Sequence, residues 1–116
     1  MVLLHICGTN EWAAAGPDTY APDAFVDDGF IHLSRPDQVE RPANRFYTGR
    51  SDLVLLVIDA RRLPAEALRW EPSAVPGERG ELFPHLHAPL PRAAVVDVVD
   101  FAPGDDGRFD LPPDLA

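Results

Sequence analysis

Histidines placed near hydroxyl side chains are the feature of this 116-residue chain that most suggests chemistry. His5 lies in a short apolar segment and is followed by Thr9, and His32 lies in another and is followed by Ser34. An imidazole and a hydroxyl together can hydrogen-bond the hydroxyls or the carboxamide of a small ligand. A single histidine on a strand is more often a core residue bonded to backbone, but two such pairs favour a ligand site.

A second group of candidate residues lies in the C-terminal half. His85 and His87 are separated by one residue, so on a strand both rings point to the same face. Glu71 follows Trp70 near the end of another predicted strand. A carboxylate beside an aromatic ring can have a raised pKa or can orient a sugar hydroxyl, although a solvated acid is an equally good interpretation.

Two further kinds of site follow from the residue types. Arg41 and Arg45 share a helical face, where they either keep the surface soluble or contact a diphosphate. The four histidines and Cys7 could bind zinc, but the chain has no CxxC or HExxH spacing, so we predict no metal site. Cys7 ends an apolar segment and is interpreted as a core residue rather than as a nucleophile.

The composition limits the classes of function. The net charge is −9, from 19 acidic and 10 basic residues, which argues against binding DNA or RNA. No apolar run is long enough to cross a bilayer, so we predict no membrane partner. The N-terminus lacks a signal-peptide pattern, and a single cysteine cannot form an internal disulfide, so we predict a cytoplasmic location.

The elements that must position these residues are short, because 13 prolines interrupt the chain. We predict strands over residues 2–7, 30–33, 53–58, 68–71 and 93–101, and a further strand within 82–90. Helices are predicted after an N-cap at Thr9 and from Ser34 to about Tyr47, with a kink at Pro42. Loops are predicted over 17–28 and 72–82.

Both predicted helices fall in the N-terminal half, a pattern that favours the α+β class. We expect one globular domain over residues 1–102 and a loose, acidic tail over 103–116. The sequence contains no GxGxxG, Walker A or GxSxG motif, so a nucleotide would have to be recognised by other means.

Several segments, in their order, resemble a known family. They are LLHI at 3–6, EW at 11–12, GFIHLS at 29–34, ANRFY at 43–47, DLVLLVID at 52–59, RWEP at 69–72 and FPHL at 83–86, followed by Pro89 and Leu90. Over about residues 3–101 the chain is therefore similar to the small bacterial family called domain of unknown function 952.

The resemblance implies a fold similar to that of the ADP-ribosyltransferases, with a split, mostly antiparallel sheet around a cleft that holds NAD in better-known relatives. It implies no established activity. It places ligand-binding and catalytic side chains around that cleft. By the resemblance, His5, Thr9, His32 and Ser34 are ligand-binding residues there, and Glu71 or His85 faces the cleft as a catalytic residue.

The leading expectation is a His-lined cleft that binds or cleaves NAD or an ADP-ribose-type nucleotide, with Arg45 at the diphosphate. The nicotinamide–ribose bond breaks through an oxocarbenium-like state, which a nearby carboxylate such as Glu71 would stabilise. The alternative is a noncatalytic module for a small metabolite or a protein partner. Family members often have Tyr and Gly where this chain has His87 and Ala88, so the last part of the pocket is expected to differ.

Overall fold

Eight strands and three α-helices make up the regular structure of residues 1–73 and 80–115, the part of the chain that the structure, a computed structural model, describes. The strands are β1 (Val2–Gly8), β2 (Thr19–Tyr20), β3 (Ile31–His32), β4 (Leu53–Asp59), β5 (Leu68–Pro72), β6 (Leu82–Leu86), β7 (Leu90–Pro91) and β8 (Val95–Phe101). The α-helices are α1 (Thr9–Ala13), α2 (Phe25–Asp28) and α3 (Glu40–Phe46), and 3-10 turns cover Ala60–Arg62, Arg92–Ala94 and Pro113–Leu115.

The strands form three antiparallel sheets, with the orders β1-β4-β8, β2-β7 and β3-β6-β5. This arrangement confirms the predicted α+β class. The first and third sheets meet where Leu4 and Ser34 exchange two backbone N–H···O bonds of 2.8 Å. The likeness to ADP-ribosyltransferases stays a prediction.

β4 is the centre of the first sheet because its sequence is apolar on both faces. Residues 53–58 are all at most 5% exposed. Leu56 and Ile58 pack into one hydrophobic cluster, and Leu55 and Val57 pack into a second cluster on the opposite face. Burying each such side chain contributes about 1.5–3 kcal/mol. The prediction of a strand buried on both faces is confirmed.

β1 pairs with β4 along its whole length and carries the first candidate residue. The register places His5 opposite Leu56. Because side chains alternate along a strand, His5 shares a face with Leu3 and Cys7, which belong to the first cluster. An imidazole is thus held within apolar packing.

Two predictions of local structure need correction. The segment 17–28, expected to be a loop, contains β2 and α2, which are too short to show a periodic pattern. The helix expected from Ser34 begins only at Glu40. Pro42 lies in the first turn of α3, where a backbone N–H has no intrahelical partner, so no helical hydrogen bond is lost there. The predicted loop over 72–82 falls largely on residues 74–79, which lie outside the described residues.

The C-terminal segment packs more closely than its composition suggests. Phe109 is 1% exposed, and its ring lies 4.8 Å from that of Phe101. Asn44 on α3 donates to the Phe109 carbonyl at 3.0 Å and accepts from the Phe109 N–H at 2.8 Å. Phe109 is therefore packed against the domain, whereas the segment after residue 102 was expected to be loose, and the boundary at residue 102 stays a prediction.

β8 is an edge strand of the first sheet, and most of its side chains are exposed. Asp97 accepts a hydrogen bond of 2.8 Å from the backbone N–H of Val98. Of the helices that the structure describes, none is long and apolar enough to cross a membrane.

Candidate functional site

A cavity of about 620 Å³ opens beside β1 and β3, between the loop that contains α2 and the end of α3. This volume lies within the range of small-molecule sites. Apolar and aromatic side chains supply most of its wall. The aromatic members are Tyr20, Phe30, Phe46 and Tyr47, and the polar and charged members are Glu11, Asp23, Asp28, Arg50, His5, His32 and Ser34.

His5 supports the inner wall of this cavity. Its Nδ1 lies 2.8 Å from the carbonyl oxygen of His32, an acceptor only, so we assign the ring hydrogen to Nδ1. Nε2 is then an acceptor, and it lies 3.4 Å from the Tyr20 hydroxyl, which donates to it. Burial lowers the pKa of His5 to about 4, chiefly because a charged ring would lose its hydration. The imidazole is therefore neutral at pH 7.

The hydrogen bonding continues from His5 to the thiol. The Cys7 S–H donates to the Tyr20 oxygen at 3.2 Å. Burial raises the pKa of the Cys7 thiol, and it also raises the pKa of Tyr20. Since a thiolate is the reactive form, a buried thiol with a raised pKa is a poor nucleophile. This agrees with the interpretation of Cys7 as a core residue.

His32 and Ser34 both line the cavity, and their role in binding a ligand stays a prediction. The His32 ring is exposed at the rim, and its Nε2 lies 3.1 Å from an Asp28 carboxylate oxygen. Ser34 is 7% exposed and forms part of the lining. The pair therefore offers the cavity one exposed polar ring and one buried hydroxyl.

Two predicted ligand-binding residues lie elsewhere. The Thr9 hydroxyl is exposed and donates to the Asp52 carbonyl at 3.0 Å, which ties the start of α1 to β4. Arg45 is exposed and lies over the Phe46 ring, at 5.9 Å from its centroid. In the part of the chain that the structure describes, neither Thr9 nor Arg45 belongs to the lining of this cavity.

The arginine that lines the cavity is Arg50, which the sequence analysis did not single out. It binds Asp52 through two bonds of 3.0 and 2.9 Å. Arg50 follows the helix by four residues, so helical spacing could not indicate it. Tyr20, in the two-residue strand β2, and Phe30, directly before β3, were not among the predicted site residues, because such short elements give no periodic signal.

The predicted catalytic residues form a separate cluster with His87. One oxygen of Glu71, Oε1, lies 2.9 Å from Nδ1 of His85 and 2.6 Å from Nε2 of His87. These hydrogen bonds, the one from His87 first, lower the pKa of Glu71. Burial lowers the pKa of His85. The pKa of Glu71 is thus lowered, whereas a raised pKa was one of the three interpretations of its sequence context.

Phe30 connects this cluster to the cavity. Its ring stacks on His85, with centroids 4.1 Å apart and planes 18° apart, and its centroid lies 4.6 Å from that of His32. The register pairs His32 with His85 across β3 and β6. The structure thus brings His5, His32 and His85 into one neighbourhood, although they are far apart in the sequence.

The charge of the cavity differs from the expectation of a cationic diphosphate site. Three carboxylates, those of Glu11, Asp23 and Asp28, line it together with one guanidinium, that of Arg50. Because Asp52 already pairs with Arg50, little positive charge remains for a diphosphate. Aromatic faces and carboxylates together favour a cationic group.

These features define a small α+β protein with an aromatic, carboxylate-bearing cavity beside a Glu–His–His cluster. The family model described as "Protein of unknown function (DUF952)" matches residues 6–98, and the chain belongs to this family. The resemblance seen in the sequence is thereby confirmed.

Protein CC0527 from Caulobacter crescentus has solved structures that are similar to this chain. Its crystal structure has 33% sequence identity and a TM-score of 0.85, and the match covers 99% of this chain and 98% of that one. Its solution NMR structure has 35% identity and a TM-score of 0.80, over 99% and 97% of the two chains. No curated protein matches the chain significantly. The family description names no activity.

Proposed function

We propose that this protein binds NAD through its nicotinamide–ribose end, in the cavity beside β1 and β3. The observation that carries this proposal is the combination of aromatic walls with three carboxylates in one cavity of about 620 Å³. The nicotinamide ring of NAD is a flat cation attached to a sugar. Aromatic faces attract such a ring, and carboxylates complement its charge and accept hydrogen bonds from ribose hydroxyls.

The polar side chains have distinct parts in this binding. Ser34 offers a buried hydroxyl, and the His32–Asp28 pair at the rim offers a donor and an acceptor to the ribose. Both nitrogens of His5 are already used by the His32 carbonyl and the Tyr20 hydroxyl. His5 therefore holds the wall in place rather than contacting the ligand. Because Arg50 is already paired with Asp52, it would contribute little to binding the phosphates, so recognition rests on the nicotinamide–ribose end.

Binding without cleavage is the form of this function that the geometry favours. Cleavage of the nicotinamide–ribose bond needs a carboxylate beside the ribose, and Glu71 was expected to supply it. Among the described residues, Glu71 and His85 are not part of the cavity lining. The Glu71 oxygen Oε1 is also used by two imidazoles. The same cavity chemistry suits a second candidate, another small cationic metabolite.

Calorimetry with three compounds tests the proposal. We expect NAD and nicotinamide riboside to bind, and ADP-ribose, which lacks the cationic ring, to bind at least about tenfold more weakly. Ser34→Ala should weaken binding of nicotinamide riboside. The control is Thr9→Val. The Thr9 hydroxyl donates to the Asp52 carbonyl and, among the described residues, is not part of the cavity lining, so this variant should leave binding of nicotinamide riboside unchanged.

Two results would overturn the proposal. One is the absence of heat with millimolar NAD and nicotinamide riboside, and the other is tighter binding of ADP-ribose than of NAD. Incubation with NAD, followed by chromatography for free nicotinamide, separates binding from cleavage. Release of nicotinamide that Ser34→Ala abolishes would show an enzyme and would refute the noncatalytic form of the proposal.

A further inference from the structure

The Glu71–His85–His87 cluster brings three metal-ligating side chains to one point of the third sheet. Each offers one ligand atom, and these three atoms lie within 4.8 Å of one another. Within residues 1–73 and 80–115, this is the one cluster of at least three His, Cys, Asp or Glu side chains with such spacing. Strand pairing positions Glu71 and His85, because β5 and β6 pair in register from Leu68 opposite Leu86 to Pro72 opposite Leu82. His87 directly follows β6, and its backbone N–H donates to the Ala67 carbonyl at 2.7 Å.

The spacing of the atoms is close to what a bound cation requires. In a tetrahedral site with bonds of about 2.0–2.2 Å, neighbouring ligand atoms lie about 3.3–3.6 Å apart. The present distances from Glu71 Oε1 are 2.9 Å to His85 Nδ1 and 2.6 Å to His87 Nε2. Rotations of side chains that open these distances by less than about 1 Å would admit the ion. Each imidazole would then carry its hydrogen on the nitrogen that faces away from the ion.

The donor set and its exposure indicate which ions fit. Two imidazole nitrogens and a carboxylate oxygen suit zinc and other first-row divalent ions better than calcium or magnesium. The His85 side chain is 7% exposed, whereas those of His87 and Glu71 are 24% and 35% exposed. A hydrated ion can therefore reach the cluster from solvent and still meet a shielded inner ligand.

We propose that Glu71, His85 and His87 form a binding site for one first-row divalent cation of the Zn²⁺ class. Three protein ligands leave a fourth position for water on the exposed side, as in catalytic zinc sites. The site is separate from the proposed NAD cavity but adjoins it, because Phe30 stacks on His85 and also lines the cavity. The sequence contains no contiguous metal-binding motif, and this cluster joins residues of separate segments, so no local pattern indicated it.

Titration of the tag-free protein with Zn²⁺ tests the site, with Co²⁺ as a spectroscopic probe. We expect one Zn²⁺ per chain by calorimetry, and visible Co²⁺ absorption typical of four-coordination. His87→Gln and Glu71→Gln should each weaken Zn²⁺ binding at least about tenfold, because each removes a direct ligand. The matched control is His32→Gln, which removes a nearby exposed imidazole outside the cluster and should change the affinity less than twofold.

Several outcomes would overturn the proposal. They are no saturable Zn²⁺ binding by the wild-type protein, unchanged binding in both cluster variants, or an equal loss in His32→Gln, which would place the ion at the Asp28–His32 pair. Circular dichroism establishes that each variant is folded before titration. The metal titrations contain no nucleotide, and the NAD calorimetry is repeated with a chelator, so each proposal can fail without the other.

Discussion

The buried imidazole of His5 should make the stability of this protein depend on pH in a defined window. In the unfolded chain a histidine titrates near 6.5, whereas burial lowers the pKa of His5 in the folded protein to about 4. As the pH falls below 6.5, the unfolded state takes up a proton that the folded state does not. The free energy of unfolding must therefore fall between pH 6.5 and pH 4.

The magnitude follows from the same two values. As the pH falls from 6.5 to about 4, His5 lowers the free energy of unfolding by about 1.4 kcal/mol for each pH unit, and by about 3 kcal/mol in total. Domains of this size have a total stability of about 5–15 kcal/mol, so the effect is measurable. His85 adds to it in the same direction, because burial also lowers its pKa.

The variant that isolates this effect is His5→Asn, whose amide can still donate to the His32 carbonyl. Urea unfolding at pH 7.5, 6.5, 5.5 and 4.5 should show the variant less stable than wild type at pH 7.5. The difference should then shrink by about 2–3 kcal/mol toward pH 4.5. The core variant Ile58→Val is the control, because it loses about 1 kcal/mol without removing a titratable group. The free energy of unfolding of Ile58→Val should change with pH in parallel with that of wild type. The same parallel dependence for His5→Asn would refute the role given to His5.

Three further predictions concern the hydrogen bonds around the core. Tyr20→Phe removes the hydroxyl that joins His5 to Cys7. We expect the free energy of unfolding, measured with urea, to fall by about 1–3 kcal/mol, and an unchanged midpoint would contradict the assigned hydrogen bonds. Cys7 should react with a disulfide reagent at least about 100-fold more slowly in the native protein than in urea, because the thiol is buried and its pKa is raised; equal rates would contradict this. Asn44→Ala removes both side-chain hydrogen bonds to Phe109. We expect the free energy of unfolding to fall by about 1–3 kcal/mol and proteolysis after residue 102 to become faster, and an unchanged rate of digestion would contradict this.

The sequence predicted the long strands well, because their residues have the pattern that burial requires. Residues 53–58 are continuously apolar and form β4, and residues 2–7 and 93–101 correspond to β1 and β8. The shorter elements β2 and α2 were missed, since two to four residues show no period. The extent of α3 was overestimated, because residues 36–39 form a turn rather than a helical start.

The site was partly predictable for a similar reason. Spacing placed His85 and His87 on one face, and both now contact Glu71. The pairing of His32 with His85 depends on the register of two strands 50 residues apart in the chain, which no local pattern contains. Arg50 was missed because it lies after the end of the helix, where helical spacing gives no signal, whereas the predicted Arg45 lies outside the lining of this cavity in the described part of the chain.

The edge strand β8 affects how copies of this protein behave at high concentration. An edge strand presents backbone N–H and C=O groups with which a strand of another molecule can pair. On β8, the Asp97 carboxylate already occupies the N–H of Val98, and Asp100 adds a second negative charge to the same strand. Because each chain carries a net charge of −9, two copies that approach each other through these edge strands repel each other. Replacing Asp97 by a neutral residue would therefore cost solubility before it costs folding.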